Sequence, residues 1–219
     1  MIKCAVFDLD GTILNTLGDL HAAVNYAMHT LGKPEHTREQ VRRMIGDGVA
    51  KLIERALPED CVNLSAQALG IFKSYYESHI CVHTRPYGGI KEMLESLRSK
   101  GVKCAVLTNK HEQAARMLAE KFFPGLFDAV HGGRAGVQLK PSPEGLVLLC
   151  KELGFTPENC AMAGDSANDI LTAKAAGAHA AGVSWGFRGK DELSASGADF
   201  IADSAKELGA HTIVGTIAS

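Results

Sequence analysis

The stretch Lys3-Cys4-Ala5-Val6-Phe7-Asp8-Leu9-Asp10-Gly11-Thr12 joins an apolar run to two acids and a glycine. Residues 3–9 do not alternate apolar with polar. Such a run suits a strand covered on both faces, as in the interior of a parallel sheet. Two carboxylates two residues apart at the end of that strand are costly unless positive charge neutralises them. Ligands of open α/β sheets bind outside the carboxyl ends of the strands. Taken singly, Asp-x-Asp-Gly also fits an acidic turn, so its meaning depends on what the other strand ends carry.

Outward from this stretch, short apolar runs recur at 102–107, 129–131, 160–163, 180–183 and 200–201. Helical patterns separate most of them. Residues 90–100 carry Ile90, Met93, Leu94 and Leu97 at helical spacing and stop at Gly101. Residues 111–121, 143–153 (closed by Gly154) and 166–176 (closed by Gly177) follow suit. Strand alternating with helix predicts an α/β fold, a doubly wound, Rossmann-like parallel sheet.

Residues 16–83 break this rhythm. Leu17, Leu20, Val24, Ala27, Met28 and Leu31 share one helical face. Thr37-Arg38-Glu39-Gln40 is a capping-box pattern that opens a second helix. Residues 48–57 and 64–80 read as two more. The segment is therefore expected to be an inserted all-helical domain, a four-helix bundle, with residues 1–15 and 84–219 forming the α/β core. The junctions near 15–16 and 83–86 are candidate hinges.

Composition narrows the function. The chain has 219 residues, 23 Lys+Arg against 25 Asp+Glu, and a formal net charge of −2. That balance gives no chain-wide electrostatic case for nucleic acid or an anionic membrane. No run approaches the ~18 apolar residues of a membrane span. None of the six cysteines forms a Cys-x-x-Cys pair, and Cys4, Cys104 and Cys160 sit in apolar runs as small core residues. A reduced, cytoplasmic protein is expected, either monomer or homodimer. No Gly-x-x-x-x-Gly-Lys-Ser/Thr occurs, since Gly189-Lys190 is followed by Asp191.

The remaining strand ends carry polar groups of a consistent kind. Run 102–107 ends in Thr108-Asn109-Lys110, where a hydroxyl and backbone N–H groups can serve phosphate oxygens. After run 129–131 a glycine-rich loop leads to Lys140-Pro141-Ser142-Pro143, with Lys140 at a helix entrance. Run 160–163 ends in Gly164-Asp165-Ser166-Ala167-Asn168-Asp169. Each could be an ordinary helix cap or surface residue. Their coincidence on one sheet edge, in this order, is what carries weight.

This set resembles the four motifs of the haloacid dehalogenase superfamily, over essentially the whole chain. An insert directly after the first motif resembles the C1-cap subfamily. Asn15-Thr16-Leu17-Gly18-Asp19-Leu20, Met44-Ile45-Gly46-Asp47-Gly48 and Arg55-Ala56-Leu57 are similar to the phosphoglycolate phosphatases. The resemblance implies a Mg2+-dependent phosphatase acting on a small phosphorylated metabolite, with phosphoglycolate as the lead candidate. Asp8 would be the nucleophile and form an aspartyl-phosphate. Asp10 would be the general acid and base, which requires it to hold a proton for part of the cycle. Asp8, the Asp10 backbone carbonyl and Asp165 would hold Mg2+, with Asp169 behind them or reaching the ion through water. Gly11, Thr12, Thr108 and Asn109 would surround the phosphate, Gly11 by close backbone approach and Thr12 by fixing the loop. Lys140 is the one base expected among these acids.

The electrostatics agree with the need for cations. A carboxylate about 4 Å from one phosphate charge is repelled by roughly 4 kcal/mol at an effective dielectric near 20. In the insert, the turn around Gly46, with Arg43 or Lys51, is the expected reader of a substrate carboxylate. Two alternatives share the chemistry: a phosphosugar mutase similar to β-phosphoglucomutase, and a pyrophosphatase. The mutases carry Glu-Asp where this chain has Gly164-Asp165, a departure that favours hydrolysis.

Overall fold

The computed structural model describes residues 2–214. In chain order these form β1 (Cys4–Phe7), β2 (Leu14–Asn15), α1 (Leu17–Thr30), α2 (Arg38–Met44), α3 (Gly48–Ala56), a 3-10 turn (Glu59–Leu64) and α4 (Ser65–His79). Then come β3 (Arg85–Pro86), α5 (Ile90–Ser99), β4 (Lys103–His111), α6 (Glu112–Phe122), β5 (Ala129–Gly133) and α7 (Glu144–Leu153). After a second 3-10 turn (Pro157–Asn159) follow β6 (Cys160–Gly164), α8 (Ala167–Ala176), β7 (His179–Val183), α9 (Lys190–Ala195), β8 (Phe200–Ala202) and α10 (Ala205–Val214).

The chain divides into two units. One is built from the described residues up to Leu14 and from Pro86 onward, the other from Asn15–Arg85. The first is a six-stranded sheet in the order β5-β4-β1-β6-β7-β8, and the paired strands run parallel. The chain moves outward from β1 through β4 to β5, then restarts beside β1 with β6. This is the Rossmann order, and β1/β6 is its topological switch point. The apolar runs are buried as a parallel sheet demands: Cys4, Val6, Cys104, Ala105, Val106, Cys160 and Met162 have no exposure. On α5 the buried residues are Ile90, Met93, Leu94 and Leu97, the face set by helical spacing. All six cysteines are unpaired thiols, and Cys4, Cys104, Cys150 and Cys160 lie in the core.

The structure corrects the end of the second core strand. β4 runs to His111, beyond the Leu107 at which the apolar run stops, and its register against β5 shifts between Leu107 and His111. Such irregularities re-aim side chains near the end of a strand. Helices α9 and α10 and the short strands β2 and β3 have no strong periodic signal in the sequence. β2 and β3, where the chain passes from one unit to the other, pair as a two-stranded ribbon.

The second unit holds α1 to α4. α1 buries Leu20, Ala23, Val24, Ala27 and Met28, and α4 buries Ala68, Phe72 and Tyr76. α2 opens with the reciprocal capping box: Thr37 Oγ1 accepts from Gln40 N and Gln40 Oε1 accepts from Thr37 N. A buried carboxylate closes the unit. Asp19, in the first turn of α1, accepts from His83 N at 2.8 Å, Thr84 N at 2.9 Å and Thr84 Oγ1 at 2.6 Å.

Candidate active site

β1 and β6 are neighbours in register, Phe7 opposite Ala163, so the residues that follow each strand emerge side by side. Asp8 continues the ladder through its N–H to Ala163 O at 2.9 Å. From β6 come Asp165 and, one helical turn into α8, Asp169. One carboxylate oxygen from each of Asp8, Asp165 and Asp169 lies within 4.8 Å of the others, and the three residues are buried. Such an acidic trio, buried and hard-oxygen throughout, fits a divalent cation. Burial pushes the Asp165 carboxyl up to about 8, with Asp169 and Asp8 adding to the shift, and burial likewise raises Asp169. A cation there would offset the crowding of acids.

One positive group is already present. Lys140 Nζ donates to Asp169 Oδ1 at 2.5 Å and stands 2.9 Å from Asp8 Oδ1, an ion-pair contact without hydrogen-bond geometry. Burial works against the Lys140 ammonium, but attraction to Asp169 and Asp8 overrides it and holds the amine above its ordinary value. The loop that carries Lys140 is clamped at its backbone. Asn109 Nδ2 donates to Lys140 O at 3.0 Å, and Lys140 N donates to Asn109 Oδ1 at 2.8 Å. Asn109, picked from the sequence for its backbone N–H, thus uses its side chain to place Lys140. Asp169 also serves its own helix: Ser166 N and Ser166 Oγ donate to Asp169 Oδ2 at 3.0 and 2.7 Å.

A second base joins the acids, where Lys140 alone was expected. Lys110 Nζ lies 3.0 Å from Asp10 Oδ1 and 3.1 Å from Asp10 Oδ2, with 5% of its side chain exposed. It stands in the shifted end of β4. Strand termination at Leu107 would have left Lys110 in a loop, and that is why sequence reasoning passed it over. The only available signal was its place in Thr108-Asn109-Lys110.

Thr12 is fully buried and donates from Oγ1 to Asp165 Oδ1 at 3.3 Å. Thr108 is buried at the same sheet edge and accepts from Lys110 N at 3.3 Å. Gly11 has a φ of +88°, and a Cβ there would meet Asp165 Oδ2 at 2.4 Å, so the close approach it permits is to Asp165. Gly46, Arg43 and Lys51 belong to the helical unit. Arg43 Nε pairs with Glu39 at 3.1 Å and Lys51 with Glu54 at 2.6 Å, both on the exposed surface. The turn that holds Gly46 is braced by Arg55, which donates to Met44 O at 2.8 Å and to Asp47 Oδ2 at 2.5 Å.

Comparison with known proteins gives the family. A family model for haloacid dehalogenase-like hydrolases matches residues 2–177. A phosphoglycolate phosphatase of Chromobacterium violaceum is 36% identical over 218 residues, covering 94% of this chain and 95% of that protein. Another from Vibrio parahaemolyticus is 36% identical over 215 residues, covering 94% of each. A crystal structure described as a predicted phosphoglycolate phosphatase from Haemophilus somnus superposes with a TM-score of 0.89 at 31% identity, covering 96% of this chain and 98% of that one. CbbY from Rhodobacter sphaeroides, in complex with phosphate, superposes with a TM-score of 0.77 at 26% identity, covering 95% and 97%. With its acids gathered at the switch point of a Rossmann-ordered sheet and likeness along nearly its whole length, the chain belongs to the haloacid dehalogenase-like hydrolases, as a phosphoric monoester hydrolase.

Proposed function

We propose that the protein is a Mg2+-dependent phosphatase that hydrolyses phosphoglycolate through an aspartyl-phosphate on Asp8. The observation that carries this reading is the Asp8–Lys140–Asp169 contact beside Asp165, in a chain whose relatives are phosphoglycolate phosphatases. Asp8, Asp165 and the Asp10 backbone carbonyl would hold Mg2+, with Asp169 behind them; when bound, the ion supplies positive charge against the phosphoryl oxygens. Lys140 holds Asp8 in place and adds charge on the same oxygens. Thr108 and the Asn109 N–H bind the remaining oxygens.

An Asp8 carboxylate oxygen attacks phosphorus while the ester P–O bond breaks, and the leaving alkoxide takes a proton from Asp10. Water then attacks the phosphoryl group and passes a proton to Asp10. The P–O bond to Asp8 breaks, releasing phosphate and restoring the carboxylate. The helical insert acts as a cap that excludes bulk water during the first step. Its turn at Gly46, with Arg43 or Lys51, reads the substrate carboxylate.

Gly164 favours hydrolysis over phosphoryl retention. A Cβ there would lie 2.1 Å from Asp169 Cγ, so this chain has no room for the glutamate side chain that the resembling mutases carry at this position.

The test offers the purified protein, with Mg2+, phosphoglycolate, pyrophosphate and β-glucose 1-phosphate. Phosphate release from phosphoglycolate well above the others is expected. Glucose 6-phosphate formed without phosphate release would overturn the reading. Asp8→Asn is expected to lose about 10⁴-fold or more in kcat with the fold intact; full activity in that variant would exclude the aspartyl route.

A further inference from the structure

The segment Trp185-Gly186-Phe187 follows β7 and lies against the acids, yet none of its residues is in the catalytic set. Phe187 N donates to Asp165 Oδ2 at 2.6 Å. Trp185 Nε1 donates to Thr12 O at 3.0 Å, and Thr12 Oγ1 in turn donates to Asp165 Oδ1 at 3.3 Å. Gly186 fits without clearance: a Cβ there would lie 2.2 Å from Asp165 Cβ, 2.5 Å from Asp165 Oδ2 and 2.5 Å from Gly11 O. Asp165 Cβ and the Gly11 carbonyl are not the far ends of flexible side chains, so rotating a side chain does not relieve the clash. The segment is tied at its start as well, since Ser184 N donates to Ala202 O at 3.0 Å and Ser184 Oγ to Asp203 Oδ1 at 2.6 Å. Three strand ends thus interlock around one carboxylate: the Gly11–Thr12 turn after β1, Asp165 after β6, and the 185–187 segment after β7.

We propose that Trp185, Gly186 and Phe187 form a positioning segment that fixes the Asp165 carboxylate for a divalent cation. It rests on the metal reading given above. The Phe187 N–H engages Oδ2 and sets the carboxylate plane, leaving Oδ1, whose Thr12 contact is long, as the oxygen that can turn to an ion. Gly186 keeps the plane there by admitting the Asp165 side chain against the backbone. The Trp185 indole holds the Gly11–Thr12 turn in register with both. Groups that orient a metal-ligating carboxylate typically change metal affinity by about 10–100-fold when removed.

The test titrates chelator-stripped full-length protein with MgCl2 by calorimetry. In parallel it follows the fluorescence of Trp185, the single tryptophan of the chain. Wild type is expected to bind one Mg2+ saturably, with a change in Trp185 emission. Gly186→Ala, folded by circular dichroism, is expected to bind about 10–100-fold more weakly. A segment that served folding alone would lower the unfolding midpoint and leave that affinity untouched. Should Gly186→Ala fail to fold, Trp185→Phe decides by the same calorimetric titration, with affinity about 10-fold lower expected and wild-type affinity overturning the proposal. Asp165→Asn separates the two levels. Binding lost in Asp165→Asn but intact in Gly186→Ala overturns the positioning role and leaves the metal reading standing. No saturable binding by wild type, or wild-type binding by Asp165→Asn, overturns the metal reading and this proposal with it.

Discussion

Lys110 grips Asp10 at both carboxylate oxygens, 3.0 and 3.1 Å away, from a strand that pairs with β1 on the side opposite β6. The proposed proton donor therefore has a fixed direction set from β4. Lys110→Met is expected to lower kcat for an alkyl phosphate by about 10²-fold, the lower range of what a positioned acid contributes. The loss should be much smaller for p-nitrophenyl phosphate, whose leaving group needs no proton. Steady-state kinetics with both substrates check this, and Lys110→Arg should recover part of the rate. Equal losses on both substrates would point to a charge effect on the phosphate instead.

The Asn109–Lys140 clamp predicts a separable effect. Asn109→Ala removes both hydrogen bonds that fix the Lys140 backbone, and the freed buried groups cost about 1–3 kcal/mol each. Activity is expected to fall about 10²-fold through misplacement of the ammonium. Lys140→Ala should fall further, because the charge itself goes. The double variant should be no worse than Lys140→Ala. A double-mutant cycle in kcat/KM measures this.

Asp165 gives metal binding a pH dependence. Burial, then the charges of Asp169 and Asp8, raise its carboxyl from 3.8 to about 8. Between those values the metal-free folded protein holds a proton that the unfolded chain has released. The metal-free protein therefore loses stability as pH rises through this window, and is most favoured below the unfolded value. A cation must displace that proton. Mg2+ affinity is expected to climb by up to about tenfold per pH unit below the Asp165 value and to level off above it. Calorimetry between pH 6 and 9 in buffers of different ionisation heat reads both the affinity and the proton released, on a pH range chosen to bracket about 8.

In the helical unit the sensitive residue is Asp19. Asp19→Ala strands the N–H groups of His83 and Thr84 and the Thr84 hydroxyl, all of which it accepts from. A loss of about 2–4 kcal/mol is expected for that unit. Urea denaturation followed by circular dichroism checks it, with Asp19→Asn intermediate because it keeps one acceptor oxygen.

The inner strands β1, β4, β6 and β7 were legible because their central residues are buried on both faces, which dictates an apolar run. Asp8 and Asp165 stand just beyond such runs, where charge is costly without a partner, while Lys140 and Asp169 stood out only through the resemblance of the four motifs taken together. Lys110 was not, because the register shift between Leu107 and His111 depends on how β4 meets β5 and leaves no mark on the local sequence. Asn109 was noticed for its backbone, while its side-chain bonds to Lys140 span 31 residues and arise only from the fold. Trp185 to Phe187 look like an ordinary turn after a strand, since the need for glycine at 186 comes from Asp165, a sequence-distant neighbour. In the insert, Arg43 and Lys51 are surface ion pairs, a use that their sequence spacing to Glu39 and Glu54 equally allowed.

The ribbon of β2 and β3 brings the two crossings of the chain together, Leu14–Asn15 beside Arg85–Pro86. Whatever lies between them closes on itself before the sheet resumes. Doubling the length of such a closed excursion adds only about 0.6 kcal/mol of closure entropy. The ribbon thus fixes the exit and the return of the helical segment at one place, so the length of that segment weighs little on closing the chain back to β1 and β6.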